Sequence, residues 1–270
     1  MAEIALTADQ APNRILKAWN GLVYIYPVFV VMLIWEAIAH SGMVSRLLWP
    51  PLEQVAYELY RFAIRGDLLF HGGITLQRAL TGFVSAIVVG IVIGTLLARV
   101  RLANRLIEPI FVFGYPIPKI SLYPIFIFIF GFGDISKIML VFLECLYPIT
   151  VQTIAGMRNA ERVLVWTARN SGASRWDMFW RVLVPSAAPT IFSGIRIALP
   201  VSLIVTVITE IIGESRGLGY VVAFSSASFE PARAFAAFVV IAAIGFTLDR
   251  TLIFLRHRLI YWQKEPTGFR

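Results

Sequence analysis

The sequence predicts an all-α membrane protein of six transmembrane helices with both termini in the cytoplasm. Three observations carry that reading. Apolar residues fill 58% of the 270 positions and charged residues only 15%, against about 45–50% and about 25% in soluble domains. The apolar residues fall in runs of about 20, the length at which a helix crosses a bilayer with its backbone groups satisfied internally. Lys and Arg gather in alternate polar loops, which reports orientation in a membrane. The net charge of +8 therefore speaks to membrane lipid and topology, and nucleic acid is not an expected partner.

The first span covers 22–39, after a polar N-terminal tail (1–21) with Arg14 and Lys17. Ala37-Ile38-Ala39 resembles a signal-peptidase site. The apolar stretch is long for a signal peptide, however, and Glu36 sits badly in a cleavage region, so an uncleaved helix is expected. Residues 47–73 form a polar excursion. Pro50-Pro51 suits a helix start, and Leu52, Val55, Ala56, Leu59 and Phe62 share one face opposite Glu53, Glu58 and Arg61. That is a short amphipathic helix lying on the membrane or on the bundle. The second span, 74–98, carries Gly90 and Gly94 as a small-xxx-small pair that permits close helix approach. The third, 109–130, contains Pro109, Pro116, Pro118 and Pro124. Each proline removes a backbone donor, so this span is kinked and partly unwound. The fourth, fifth and sixth spans cover 138–157, 191–212 and 235–255.

Six spans place both termini on one side, and the basic residues test this. One side collects fifteen: Arg14, Lys17, Arg99, Arg101, Arg105, Arg158, Arg162, Arg169, Arg175, Arg181, Arg250, Arg256, Arg258, Lys264 and Arg270. The other has seven: Arg46, Arg61, Arg65, Arg78, Lys137, Arg216 and Arg233. The excess assigns both termini and the 158–190 loop to the cytoplasm. The chain reads as a single transmembrane domain over 1–270, with a helical core at 22–257 and a C-terminal tail at 258–270. Cys145 lies inside an apolar run and reads as a core thiol.

The 158–190 loop is the most informative polar segment. Gly172-Ala173 suits a tight reversal after a helix. Ser174-Arg-Trp-Asp177 has capping-box spacing. The new helix then presents Trp176, Phe179, Trp180 and Leu183 at i, i+3, i+4 and i+7, ending near Pro185. Such a stripe fills a groove on a partner, packs on its own bundle, or lies among lipid headgroups, where Trp is favoured.

Gly172, nine residues and then Val182-Leu-Val-Pro185 is similar to the signature loop of bacterial ABC importer permeases, Glu-Ala-Ala, three residues, Gly, nine residues, Ile-x-Leu-Pro. The flanking segments resemble the nitrate, sulfonate, taurine and bicarbonate branch of that family. These are Tyr115-Pro-Ile-Pro118, Phe130-Gly-Phe-Gly-Asp-Ile-Ser-Lys137, Ser193-Gly-Ile-Arg-Ile-Ala198 and Arg216-Gly-Leu-Gly-Tyr220. Together they cover about 20–262 in the family's order. Trp166-Thr167-Ala168 stands where the family has Glu-Ala-Ala, and Val182 and Val184 replace Ile and Leu.

The resemblance implies a type I ABC importer-like permease in the bacterial inner membrane, carrying a small anionic solute. Gly172, Ala173, Ser174, Trp176, Asp177, Phe179, Trp180 and Pro185 are then the coupling loop. The implied partners are an ABC ATPase in two copies, a second permease copy, and a periplasmic or lipid-anchored binding protein. ATP and Mg belong to the ATPase, so this chain binds no cofactor and is not itself an enzyme. The alternative is an ion-coupled secondary transporter, which needs inverted repeats and a polar midplane site; no repeat is evident in the sequence.

Ionisable residues within spans are functional candidates by default, because their burial is costly. Lys119, Glu144, Glu210 and Arg196 are the candidate pathway residues, with structural pairing across helices as the competing role. No phosphate-binding G-x-x-x-x-G-K-[ST] or zinc-binding H-E-x-x-H is present. His40, His71 and His257 read as separate solvated histidines rather than metal ligands.

Overall fold

A computed structural model describes residues 14–45, 47–114, 117–160 and 162–262. The helices run α1 (Arg14–His40), α2 (Leu52–Arg65), α3 (Asp67–Arg99), α4 (Arg101–Gly114), α5 (Tyr123–Phe130), α6 (Asp134–Arg158), α7 (Arg162–Asn170), α8 (Arg175–Asp177), α9 (Val184–Ile211), α10 (Leu218–Ala227) and α11 (Pro231–Leu259). A 3-10 turn (Lys119–Leu122) precedes α5, and a π-helical segment (Met178–Leu183) joins α8 to α9.

Four continuous helices are long and apolar enough to cross a membrane: Asp67–Arg99, Asp134–Arg158, Arg175–Ile211 and Pro231–Leu259. Tyr26–His40, Lys119–Phe130 and Leu218–Ala227 are shorter apolar helices. The six expected spans thus become four long helices and shorter pieces. The expected 109–130 span is divided: α4 stops at Gly114 and helix resumes as the 3-10 turn at Lys119. Pro118 and Pro124 lack the amide that would carry the ladder through. Pro116, the remaining proline of that stretch, lies outside the described residues, as do Tyr115, Arg46, the first part of the N-terminal tail and most of the C-terminal tail.

The helix expected to end near Pro185 instead runs on to Ile211. Just before the proline the ladder widens, and the Val184 amide donates to Phe179 O, five residues back. A proline ring clashes with the carbonyl four residues before it, and a widened turn gives that carbonyl room. Two further corrections concern charge. Arg78 and Lys137, counted above toward the less basic side, lie inside α3 and the first turn of α6, 1% and 0% exposed.

The core is the α3, α6, α9 bundle. Opposing residues pair as 82 with 141, 90 with 149 and 94 with 153 along α3 and α6, so these two helices run parallel. Gly156 against Ala187 and Cys145 against Ala198 make α9 antiparallel to both. Lipid offers no hydrophobic drive between helices, so small residues that allow close packing hold such a seam. A Cβ built on Gly94 would sit 2.6 Å from Thr153 Cβ, and one on Gly82 would sit 2.7 Å from Val141 Cβ. α11 lies antiparallel to α9, with Asp249 against Arg196. Its C-terminal end therefore reaches the end of the bundle where α6 gives way to α7.

The expected amphipathic helix forms as α2, with Val55 and Phe62 buried and Ala56 exposed. Glu36 accepts the Leu52 amide at 3.1 Å and anchors the start of α2 to α1. Trp35 stacks on Trp49 at 4.0 Å and meets Phe235 of α11 edge-on at 4.9 Å.

The opposite end of the bundle, where α9 finishes, is closed by a buried ionic network. The Arg78 guanidinium donates to Asp134 Oδ1 (2.6 and 2.8 Å), Glu210 Oε1 (2.9 Å), Glu214 Oε2 (3.2 Å) and Arg216 O (3.1 Å). Lys137 Nζ donates to Glu214 Oε1 at 2.5 Å and to Phe132 O at 2.9 Å. Glu210 also accepts from Thr75 Oγ1 (2.8 Å) and the Gly219 amide (3.0 Å), while Thr75 Oγ1 accepts the Leu218 amide (2.8 Å). The first amides of α10 have no side-chain cap of their own. They are satisfied from α3 and α9, with a carboxylate placed where the helix dipole favours it. His71, expected as a solvated residue, accepts the Gly217 amide at 3.1 Å.

Partial burial pushes the Glu214 carboxyl up, but the Lys137 ammonium, the Arg78 guanidinium and the Ser215 amide together outweigh it and hold the group below its ordinary value. Because the native state binds its proton less readily than the unfolded chain, Glu214 stabilises the fold above the unfolded carboxylate range. That contribution is lost as pH falls through the depressed native value.

Three outcomes are expected from melting curves of purified protein in detergent. Gly94→Leu overpacks the α3–α6 seam and destabilises by about 1–3 kcal/mol, whereas Val92→Ala, on an exposed position of α3, leaves the curve in place. Arg78→Met strands Glu210 in the interior and costs about 3–5 kcal/mol. Acidification lowers the wild-type midpoint, and Glu214→Gln flattens that dependence; an equally steep variant curve would remove Glu214 as a cause.

Candidate functional site

The residues expected to dock a partner form one continuous structure around α7, α8 and the π-helical segment. α7 ends in a Schellman turn: Gly172 has φ +77°, the Ala173 amide bonds to Ala168 O at 3.0 Å and the Gly172 amide to Arg169 O at 3.1 Å. Glycine takes that left-handed conformation without the Cβ clash of other residues. The chain reverses, and Ser174 caps the next helix, its Oγ accepting the Asp177 amide at 3.1 Å. The same hydroxyl donates to Asp177 Oδ2 at 2.5 Å, so the acid engages the cap through the serine side chain. Asp177 also lies 3.4 Å from Arg181.

Strict helical spacing puts Trp176, Phe179, Trp180 and Leu183 on one face, but the structure divides them. Leu183 is buried and Phe179 packs against the bundle core. Trp176 is 70% and Trp180 50% exposed, their rings edge-to-face at 5.6 Å. The π turn, which shifts angular positions relative to an α-helix, spans Met178–Leu183 and accompanies this split. Trp166 on α7 is also exposed, so the segment presents three tryptophans outward. In the departure from the family pattern, Thr167 bonds back to Val163 O at 2.9 Å, and Ala168 supplies the carbonyl that closes the Schellman turn.

The candidate pathway residues separate into three places. Lys119 and Glu144 come together at the break between α4 and α5: Lys119 Nζ is 3.9 Å from Glu144 Oε2, 3.4 Å from Ile117 O and 4.1 Å from the centroid of the Tyr147 ring. Glu210 belongs to the network at the far end, fully buried. Arg196 lies on an exposed flank of α9, its Nε 3.3 Å from Asp249. A cleft of about 530 Å³ lined by Gln54, Arg61, Arg65, Glu230 and Arg233 among others contains none of the four.

Sequence reading missed Thr75, Arg78, Asp134, Lys137 and Glu214 as a set. The available signal was the i, i+3 spacing of Thr75 and Arg78, which sets both on one helix face toward an acid in another span. Tyr147 was missed because an aromatic in an apolar run reads as core.

Comparison with known proteins bears on what this arrangement serves. Residues 86–260 match the family model described as "Binding-protein-dependent transport system inner membrane component". The chain is similar to the taurine transport system permease protein TauC of Escherichia coli (strain K12), 30% identical over 241 residues, covering 87% of this chain and 88% of that protein. It is also similar to the putative aliphatic sulfonates transport permease protein SsuC of Bacillus subtilis (strain 168), 27% identical over 239 residues, covering 88% and 87%. Among solved structures, a chain of the MetNI methionine ABC transporter superposes with a TM-score of 0.55 at 20% identity, covering 70% of this chain and 92% of that one, a likeness of fold. The chain therefore belongs to the family of binding-protein-dependent transport system inner membrane components, the permeases of ABC importers, with taurine and sulfonate permeases among its relatives.

Proposed function

We propose that this chain is the translocating subunit of an ATP-driven importer for a small anionic solute, and that the segment from Gly172 to Pro185 docks the ATPase. The observation that carries the docking assignment is the outward pair Trp176–Trp180 on a capped helix that is the beginning of the 37-residue helix Arg175–Ile211. A helix of that length spans roughly 55 Å. Movement imposed on the tryptophans is thereby delivered along α9 to the Arg78–Glu210 network at its far end. Exposed aromatics on a rigid support also match the physics of interface anchors.

In this reading the chain crosses the inner membrane six times, with α1, the α4–α5 pair, α3, α6, α9 and α11 as the crossings. The excess of Lys and Arg supports a cytoplasmic position for both termini and the docking segment. Two ATPase copies supply ATP and Mg, a second permease copy completes the pathway, and a binding protein delivers solute from outside. The anionic class rests on the likeness to taurine and sulfonate permeases. This chain performs no covalent step; its work is alternating access driven from the partner.

Because Phe179 supports the core, the discriminating variant is the double change Trp176→Asp and Trp180→Asp. It is expected to abolish co-purification of the ATPase while the permease keeps its melting curve. Recovery of the intact complex would overturn the docking assignment. Uptake that persists in energised vesicles stripped of ATP would instead establish an ion-coupled transporter.

A further inference from the structure

We propose that the cleft between α2 and the start of α11 binds one membrane phospholipid with a zwitterionic, ammonium-bearing headgroup, and that an acyl chain of it lies in the apolar groove alongside. The cleft, of about 530 Å³, is lined by three cations, Arg61, Arg65 and Arg233, and three acids, Glu58, Asp67 and Glu230. Such a balance suits a ligand that carries both signs, because a plain anion or a plain cation meets as much repulsion as attraction. Arg61 lies 2.7 Å from Glu58 and Arg233 lies 3.5 Å from Glu230, so opposite charges stand side by side. Part-exposed pairs of this kind are weak, and a phosphate and an ammonium can exchange into them. The start of α11 favours the phosphate. Pro231, Ala232 and Arg233 open that helix on the cleft, with no side-chain cap and no acid in the first turn. The positive end of a helix dipole attracts an anion there.

What adjoins the cleft points to a lipid rather than a small solute. An apolar groove of about 260 Å³ shares Leu47, Phe229 and Pro231 with it and is further lined by Ala234, Phe235 and Phe238 of α11. Leu47, Phe229 and Phe238 are exposed, and the apolar stretch of α11 is the least buried of the four long helices. The groove therefore opens toward the bilayer. A charged cleft continuous with an apolar groove has the two-part shape of a headgroup and a chain.

The level in the membrane agrees. α11 starts at the end of the bundle where α9 finishes, and there Trp35, Trp49 and Phe235 pack together while Tyr57 and Tyr60 are exposed on α2. Trp and Tyr gather at headgroup depth, and an amphipathic helix such as α2 lies in that interface. In the importer reading this is the outer leaflet, remote from the docking segment, but the site itself does not depend on that reading.

The test is native mass spectrometry of the full chain in detergent, titrated with phosphatidylethanolamine and, separately, phosphatidylglycerol of the same acyl chains. Wild type is expected to retain one phosphatidylethanolamine per chain about tenfold more tightly than phosphatidylglycerol. Arg65→Gln, on the exposed last turn of α2, is expected to weaken that binding about tenfold. Asp67→Asn is expected to erase the preference between the two lipids. Ser226→Trp fills the apolar groove, leaves the charges in place, and is expected to weaken both lipids alike. Equal retention of the two lipids by wild type, or variants that bind as wild type does, would overturn the site. So would displacement of the lipid by equimolar phosphoethanolamine, which needs no groove, or by taurine, which would make the cleft a subsite for solute. A dimer that excludes the lipid would give the groove to a second copy of the chain and also overturn the proposal. If Arg65→Gln does not purify, Ser226→Trp decides: unchanged retention sinks the assignment.

Discussion

The fully buried pair of Arg78 and Glu210, with the groups gathered around it, is the constraint on which the rest of the bundle depends. Charges of this kind survive inside a protein only when their partners are complete. The partners come from α3, α6, α9 and the 213–217 loop. Meeting that requirement fixes the register of three long helices and the position of α10 at once. Lys137 adds a second cation, and the exposed edge of Asp134 lets water share the remaining charge.

Along the rest of α3, α6 and α9 the problem is different. Apolar helices in lipid gain nothing from being apolar toward one another, so contact has to come from shape. The glycines at 82, 90 and 94 let α6 approach closely, and Gly156 and Gly194 do the same between α6 and α9. The result is a closely packed unit. The ionic network pins one end of it, and the capped, tryptophan-bearing turn at Ser174 begins the other.

Arg78 and Lys119 show two different settings for a buried cation. Arg78 is saturated by a fork of short bonds and serves as a structural joint. Lys119 sits at a helix break, 3.9 Å from Glu144 and over the face of Tyr147. The prolines that divide the 109–130 segment are what make room for that second arrangement, because an unbroken helix there would leave no irregular backbone to expose.

Much of this was legible in the sequence. The apolar runs, the capping box at Ser174, the turn at Gly172, the amphipathic α2 and the proline-broken third segment all follow from local rules: hydropathy, helix periodicity and the lost amide of proline. Their physics is contained within a few residues, so no distant partner is needed to read them. Tertiary structure alone decided the rest. That Phe179 turns inward while Trp176 and Trp180 face out depends on how α8 and α9 lie against the core, and the local pattern puts all three together. That Arg78 meets Glu210, 132 positions on, and Lys137 meets Glu214, 77 positions on, depends on how distant segments pack, and local pattern does not say which buried charge will find which partner.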